Sequence, residues 1–508
     1  MTRPNILLLQ LEIIPDCPPH MGMCLFIDDL RRQGAHCDTY IIQVDRFTEI
    51  FNVIKKGDYQ LICVDSVFTI DMINHLREDF PDIPILAGGI NSLALLMHSN
   101  VQYVVFGPGR EAVSSFIQQY FGPGDFSRVP NLFFKNNGHI GYSGKTIHWD
   151  LKRELFPYMP FLDWQYIGPG RSPDANRSDV SIVAETGCPY AHSTVSSHDI
   201  KIRDTLGEIG YSVSDSALQR LNEIFNRHRH GCSFCIFQYQ EHTHATPEQA
   251  TELLLRQVLH LHSAHNVTSF QIQSENPLPF LNSFLLMLID RGIPFHKISI
   301  RTRPDLLLRH QDKLIQALEL ARENNFCLSV EQIGFESFCR DDLQKFNKNT
   351  TVELNLEVLN LLRTVKDKYG PHVVNNTGHG IILFHPWTTL ESITETVKIM
   401  ALYPDIFPSF FTGNLILYSE FIPIFQEIRK ENLMRKSEYY YGYEHIIKDP
   451  AANKAFELYR ILLACFQGNI SIQGYLTGLE MIENNFSVDE ILAKVFYLVP
   501  VPESGSEQ

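Results

Sequence analysis

Five short apolar runs, each followed by a helix-like stretch, fill the first 125 residues: NILLLQL, HCDTYIIQV, YQLICVDSV, IPILAGG and VQYVVFG. Runs of this length suit buried strands, and their alternation with helices predicts an α/β fold, a doubly wound parallel sheet with its ligand loops at the carboxyl ends of the strands. Those ends carry Ser66, then Gly88-Gly89, then Gly107-Pro108-Gly109. Small residues there let a ligand approach the backbone closely, although tight βα turns alone would also use them. The first helical stretch, MCLFIDDLRRQG, ends on Gly34, as helices often do.

Residues 126–175 read as a linker, with a short β segment in NLFFKNNGHIGYSG that turns at Asn-Asn-Gly. A second α/β alternation, over 176–430, begins at SDVSIVAETG. VTSFQIQSENP, HKISIRTRPD, FCLSVEQIGFES, HGIILFH and, less sharply, GNLILYS read as its strands, with PEQATELLLRQVLHLHSAH, LNSFLLMLIDRG and TTVELNLEVLNLLRTVKDKYG as helices between them. About six strand–helix units suit a partial (β/α) barrel whose active face lies at the strand carboxyl ends. Residues 431–508 read as helical, closing on the polar segment VPESGSEQ.

The formal net charge of −15 argues against a general affinity for nucleic-acid backbones. The opening MTRPNILLLQLEII reaches Glu12 too soon for a signal peptide, and no uncharged apolar stretch is long enough to span a bilayer, so the expected location is cytoplasmic, off the membrane. Ten cysteines in a reducing compartment are not a disulfide framework. Most, such as Cys63, are expected in the core; functional ones are metal ligands or nucleophiles.

Three cysteines stand apart: Cys188 in AETGCPY, and Cys232 and Cys235 in RHRHGCSFC. A thioredoxin-type redox pair fits poorly, because GCSFC follows the helix-like SDSALQRLNEIFNRHRH instead of opening a helix. A structural zinc site would need a fourth ligand, which His192, His228 or His230 could supply. An iron–sulfur cluster held by three thiolates would leave one iron open.

GCPY with CSFC resembles the CxxxCxxC motif of the radical S-adenosylmethionine superfamily, with the first spacing enlarged to the 43 residues from 189 to 231 and an insertion over 191–231. Loop closure grows only logarithmically with length, so one site can survive such an insertion. Other segments resemble the superfamily in the same order. IQSENPLPF places Ser274 and Glu275 at its S-adenosylmethionine amino-group motif, and IGFESFCRDDLQKFNKNTTVE places Glu336 and Ser337 at its G-x-E-S pair. GHGIILFHPWTTLESI resembles its fifth strand, where Ile382 would meet adenine, although FHPWTT departs from the commoner G-x-P-G-E-T loop; SEFIPIFQEIRKENL resembles its closing segment. The first domain resembles the cobalamin-binding domain that precedes many such barrels, with Ser66, Gly88, Gly89, Gly107 and Gly109 as its cradle. Its D-x-H-x-x-G loop is missing, since Pro18 stands two positions before His20, which implies that cobalt takes no histidine from this loop.

The resemblance implies a [4Fe-4S] cluster on Cys188, Cys232 and Cys235, S-adenosylmethionine on its open iron, cobalamin, and an electron donor such as flavodoxin or ferredoxin. It implies a radical enzyme that methylates an unactivated carbon of a peptide or small natural product. Some relatives of this kind instead rearrange, cyclise or oxidise, and a zinc-stabilised binding protein is the reading without catalysis. Arg301 and Arg303 would hold a carboxylate or pair within the barrel. Tyr190 and Phe234 would pack on cluster and adenine or fill the core, and YYYGYEH over 439–445 would cover a substrate pocket or belong to the helical tail. The histidines 192, 198, 228 and 230 would ligate, shuttle protons or lie on a solvated loop.

Overall fold

The computed structural model describes residues 3–12, 21–65, 67–150, 164–167, 180–188, 190, 201–226, 231–236, 243, 245–374, 379–407, 413–417, 420–437, 443–465 and 470–495. Pro18, His20, Ser66, His192, His198, His228, His230, residues 439–442 and the VPESGSEQ tail lie outside them. The chain divides into two units, one formed by 1–299, 416–426 and 436–444, the other by 300–415, 427–435 and 445–508.

The five opening runs of the first unit become strands β1 (Asn5–Glu12), β2 (His36–Gln43), β3 (Leu61–Asp65), β4 (Ile85–Gly88) and β5 (Tyr103–Val105). Helices α1 (Met21–Arg32), α2 (Ile50–Gly57), α3 (Ile70–Asp79) and α4 (Ser92–His98) connect them, and α5 (Arg110–Tyr120) follows. The strands pair in parallel in the order β5-β4-β3-β1-β2. Ile6, Leu7, Leu8, Leu9, Leu61 and Ile62 are wholly buried, as a sheet covered on both faces requires. The order reverses between β1 and β3, the place where open α/β sheets bind ligands.

The NLFFKNNGHIGY segment forms a hairpin, β6 (Leu132–Asn136) and β7 (His139–Tyr142), that extends this sheet antiparallel to β5. Asn137 and Gly138, both at positive φ, make the tight turn. A short β8 (Gln165–Ile167) adds to β2 at the far edge. After β9 (Val180–Ile182), the 43-residue excursion carries α6 (Ile202–Glu208), β10 (Ser212–Val213) and α7 (Asp215–Phe225). β10 pairs in parallel with β7, making the sheet nine-stranded. Sequence reading gave the excursion one helix, the later α7, and no strand, because two residues leave no period to detect.

The chain then forms α8 (Pro247–His265), opened by a Thr246–Gln249 capping box, followed by β11 (Ser269–Ile272), which pairs in parallel with β9, and by α9 (Leu278–Asp290). β12 (Lys297–Arg301) carries the chain into the second unit.

There, α10 (Pro304–Arg309) and α11 (Gln311–Glu323) precede the FCLSVEQIGFES segment. That segment forms two strands, β13 (Cys327–Glu331) and β14 (Gly334–Glu336), because Gln332 between them adopts φ +48° and turns the chain. After α12 (Arg340–Lys345) and α13 (Val352–Tyr369), β15 (Val373–Val374) pairs in parallel with β13. β16 (Gly380–Phe384) lies between β14 and β17 (Gly413–Asn414), with α14 (Leu390–Ala401) between β16 and β17 in the chain. Next comes α15 (Pro423–Lys430), whose first residues belong to the first unit. Residues 431–445, expected to be helical, instead carry two short strands, β18 (Met434–Lys436) and β19 (Tyr443–His445), because the helix α15 ends at Lys430. The helices α16 (Pro450–Cys465), α17 (Ile472–Glu483) and α18 (Val488–Val495) follow. Among the described residues, no helix is long and apolar enough to cross a membrane.

Candidate functional site: the cysteine loop and the sheet edge

The loop that leaves β9 reads Val-Ala-Glu-Thr-Gly-Cys and is fixed before it reaches Cys188. Gln257, wholly buried on α8, holds both backbone groups of Val183: its Oε1 accepts from the N–H at 3.0 Å and its Nε2 donates to the carbonyl at 2.8 Å. Three residues on, Thr186 meets Thr243. The Thr186 N–H donates to the Thr243 hydroxyl at 3.0 Å, and the Thr243 N–H donates to the Thr186 carbonyl at 3.2 Å. This two-way tie joins the two ends of the segment, 186–243, that bears Cys188, Cys232 and Cys235.

Cys232 and Cys235 share a single turn, closed by the Cys235 N–H on the Cys232 carbonyl at 3.2 Å. Inside it, the Ser233 carbonyl accepts from the Ile424 N–H of α15 at 3.0 Å. The closing segment of the sequence thus lies against the cysteine turn, with Phe421, Ile422, Ile424 and Phe425 buried. Cys188 and Cys235 are half-buried and Cys232 is buried. As they stand, the described residues contain no group of three His, Cys, Asp or Glu side chains able to hold a metal ion. The remaining buried thiols are of another kind. Burial pushes Cys24 and Cys37 up to about 12 and Cys63 higher still, so these remain protonated core residues.

Ser274 stands just beyond β11, and its hydroxyl donates to Glu185 Oε2 at 3.1 Å. The SENP segment and the AETGC loop are thereby joined, and Glu185, which sequence reading missed, lies beside Ser274 and three residues before Cys188. Glu275 is half-buried next to Ser274, Tyr190 is buried and Phe234 half-buried.

In the second unit, Glu336 ends β14 at φ +65°, a left-handed conformation that is unusual for a glutamate. Its carboxylate accepts from Lys348 Nζ at 2.8 Å in a pair that is nine-tenths buried. The fold makes room for that pair with glycine: a Cβ on Gly334 would stand 2.6 Å from Glu336 Oε1 and 2.9 Å from Lys348 Nζ. Ser337 points inward. Its hydroxyl donates to Asp342 at 2.8 Å and accepts from the Cys339 N–H at 3.0 Å, and Asp342 in turn holds the buried His385 at 2.9 Å. Arg303 is also engaged internally, through Asp305 at 2.9 Å and the Lys348 carbonyl at 2.8 Å. Arg301 ends β12 half-buried, and Ile382 on β16 sits in register with Gly413.

At the carboxyl edge of the first sheet, Asp65, Gly88 and Val105 stand side by side in register. Gly89 and Gly107 follow at φ +101° and +124°, conformations that exclude most side chains. Buried Asn131 shapes the Gly107 loop: its carbonyl accepts from the Phe106 N–H at 3.1 Å, and a Cβ on Gly107 would meet its Nδ2 at 3.0 Å. Gly109 caps α5, whose Arg110 grips Asp29 of α1 with two hydrogen bonds. Asp65 is buried, and its burial raises the carboxyl to about 7, with the Val67 N–H at 3.3 Å pulling slightly the other way.

No protein-family model matches the sequence, and no curated protein matches it. The solved structures that share its fold include two cobalamin-dependent radical enzymes. One is the apo, selenomethionine-labelled cobalamin-dependent S-adenosylmethionine radical enzyme OxsB, with a TM-score of 0.59 and 13% identity over 98% of this chain and 75% of that one. The other is the radical S-adenosylmethionine methyltransferase TsrM from Kitasatospora setae, with cobalamin and a [4Fe-4S] cluster bound, with a TM-score of 0.52 and 13% identity over 85% of this chain and 75% of that one. The chain therefore has the fold of the cobalamin-dependent radical S-adenosylmethionine enzymes, a cobalamin-binding-like sheet domain followed by the barrel region, as the sequence motifs implied.

Proposed function

We propose that the protein is a cobalamin-dependent radical S-adenosylmethionine enzyme that methylates an unactivated carbon of a peptide or small natural product. The observation that carries this reading is the Thr186–Thr243 tie. It joins the ends of a segment that bears three thiols, two of them on one turn, despite a 43-residue interruption. The shared fold supports the same reading.

Cys188, Cys232 and Cys235 are the proposed cluster ligands. Three soft thiolates suit an iron–sulfur cluster with one open iron, and a metal that gathers loop ligands couples its binding to local folding. When bound, the cluster with S-adenosylmethionine supplies a 5′-deoxyadenosyl radical, and cobalamin supplies the methyl group. The protein's own residues bind, orient and exclude water. Ser274 and Glu275 are the proposed contacts for the methionine amino group, with Glu185 fixing the Ser274 hydroxyl. Glu336 and Ile382 are the proposed adenosine contacts, and Phe234 the proposed cover of the cluster turn. Because Ser337 and Arg303 are engaged inside the fold, they act by holding Asp342 and the Lys348 backbone in place. Gly88, Gly89, Gly107 and Gly109 form the proposed corrinoid cradle. Their lack of side chains at the sheet edge is the feature that fits a broad planar ligand.

Anaerobic purification tests the reading. Brown protein with about four irons per chain, a corrinoid absorption spectrum and transfer of label from methyl-labelled S-adenosylmethionine into product are expected. Iron and corrinoid without label in product would favour rearrangement or oxidation. Colourless protein holding a single zinc would overturn the enzyme reading altogether.

A further inference from the structure

We propose that His98, in the sheet domain, is a positioning residue for the cysteine turn and acts through Glu420. The inference rests on the proposed cluster site. His98 ends α4, a seven-residue helix whose residues 92–97 are all buried. The helix is fixed at its start, where Ser92 donates to the Gly89 carbonyl through its N–H at 3.2 Å and its hydroxyl at 2.7 Å. At its end the His98 Nε2 lies against Glu420 Oε1, on a carboxylate only 1% exposed. Neither oxygen of Glu420 makes a hydrogen bond among the described residues, so the His98 ring is the polar contact on which its buried position depends.

Glu420 lies four residues before Ile424, the donor to Ser233 between Cys232 and Cys235. The short span from 420 to 424 is held in shape by Gln426, whose side chain donates to the Glu420 carbonyl at 2.6 Å. The position of Glu420 therefore sets the position of the N–H that fixes the cysteine turn.

The surroundings of the pair come from every neighbouring element. Lys135 of β6 donates to the Leu96 carbonyl at 2.8 Å and to that of Ser99, capping the end of α4. Its ammonium, lowered to about 8 by burial, also lies 5.4 Å from the ring of Tyr211. Tyr211 belongs to the excursion between the proposed ligands, and its hydroxyl is raised by burial and by the Glu420 charge. Tyr443 meets the His98 ring edge-on at 5.6 Å and packs against Phe425 at 5.2 Å. One node thus receives the sheet domain, the excursion that leads into Cys232, and the segment that fixes the turn from outside.

The test uses the full chain, reconstituted anaerobically with iron and sulfide. H98Q and E420Q are compared with wild type, and so is H98Q/E420Q, which removes both charges together and avoids an unpaired buried ion where a single variant fails to fold. Thermal melts of the metal-free chain check the fold. Expected in the folded variants are retained iron, a shifted EPR spectrum of the reduced cluster and a roughly tenfold rise in the dissociation constant for S-adenosylmethionine. The double variant should be closer to wild type than either single one. A folded variant with the wild-type EPR spectrum and affinity overturns the inference while the cluster reading stands. A wild-type chain that retains no iron overturns both.

Discussion

Replacing Asp65 with asparagine probes the chemistry of the sheet edge directly. Asp65 is buried at the end of β3, and its carboxyl is raised to about 7, chiefly by burial. In the unfolded chain an aspartate titrates near ~3.9. Between about pH 4 and pH 7 the folded chain therefore holds a proton that the unfolded chain releases. The stabilisation from this group is fully present below the unfolded value and is lost as pH rises through the folded one. A shift of roughly three units, at ~1.36 kcal/mol each, gives an upper bound of about 4 kcal/mol. An asparagine side chain cannot ionise, so the stability difference D65N minus wild type should rise by about 2–4 kcal/mol between pH 4.5 and pH 8. Urea unfolding of the cofactor-free chain, followed by tryptophan fluorescence at several pH values, measures that difference while cancelling groups common to both proteins. A difference that stays flat with pH would refute the reasoning, because Asp65 would then be ionised and compensated in the folded state.

Two further perturbations test how the loops are held. Gln257→Leu leaves the N–H and carbonyl of Val183 without their partners in the core, at a cost of about 2–4 kcal/mol; hydrogen exchange should accelerate over residues 180–186 ahead of the rest of the chain. Gly334→Ala drives a methyl group into the buried Glu336–Lys348 pair and should cost about 3 kcal/mol in thermal unfolding. The same substitution in an E336A/K348A background should cost far less, because the clash and the pair are coupled.

The elements legible in the sequence were those whose own residues dictate them. NILLLQL and its four companions became β1 to β5 because continuous apolar runs are stable only when covered on both faces. Asn137-Gly138 announced its turn, since both residues tolerate positive φ. What was not legible depends on partners far away in the chain. The hairpin β6–β7 read as part of a linker, yet it pairs with β5, a choice that local pattern does not encode. β10 and β15 have two residues each and exist only because an edge was free beside them. Gln332 and Glu336 gave no signal of left-handed backbone, because neither is a residue that prefers it.

The same distinction governs the site. Residue types that the proposed chemistry demands, such as the three cysteines and the glycines at the sheet edge, were singled out from motif spacing and from the strand ends they follow. Residues that hold those groups in place cannot, because almost any polar side chain of suitable reach would serve. Thr243 ties Thr186, Glu185 receives Ser274, Asn131 lies under Gly107, and Lys348 faces Glu336. None of the four belongs to a periodic pattern, and each contacts a partner that the chain reaches only after at least one turn. Ser337 and Arg303 show the converse. A motif position and a strand-end arginine suggest ligand contacts, but their hydrogen bonds run inward to Asp342 and the Lys348 backbone. The excursion combines both lessons. Sequence spacing proposes one site across it, and the Thr186–Thr243 tie joins the ends of the segment that bears all three cysteines. A deletion of residues 201–226 that preserved the tie would still remove β10 and Tyr211, and with them the excursion's hold on the sheet domain.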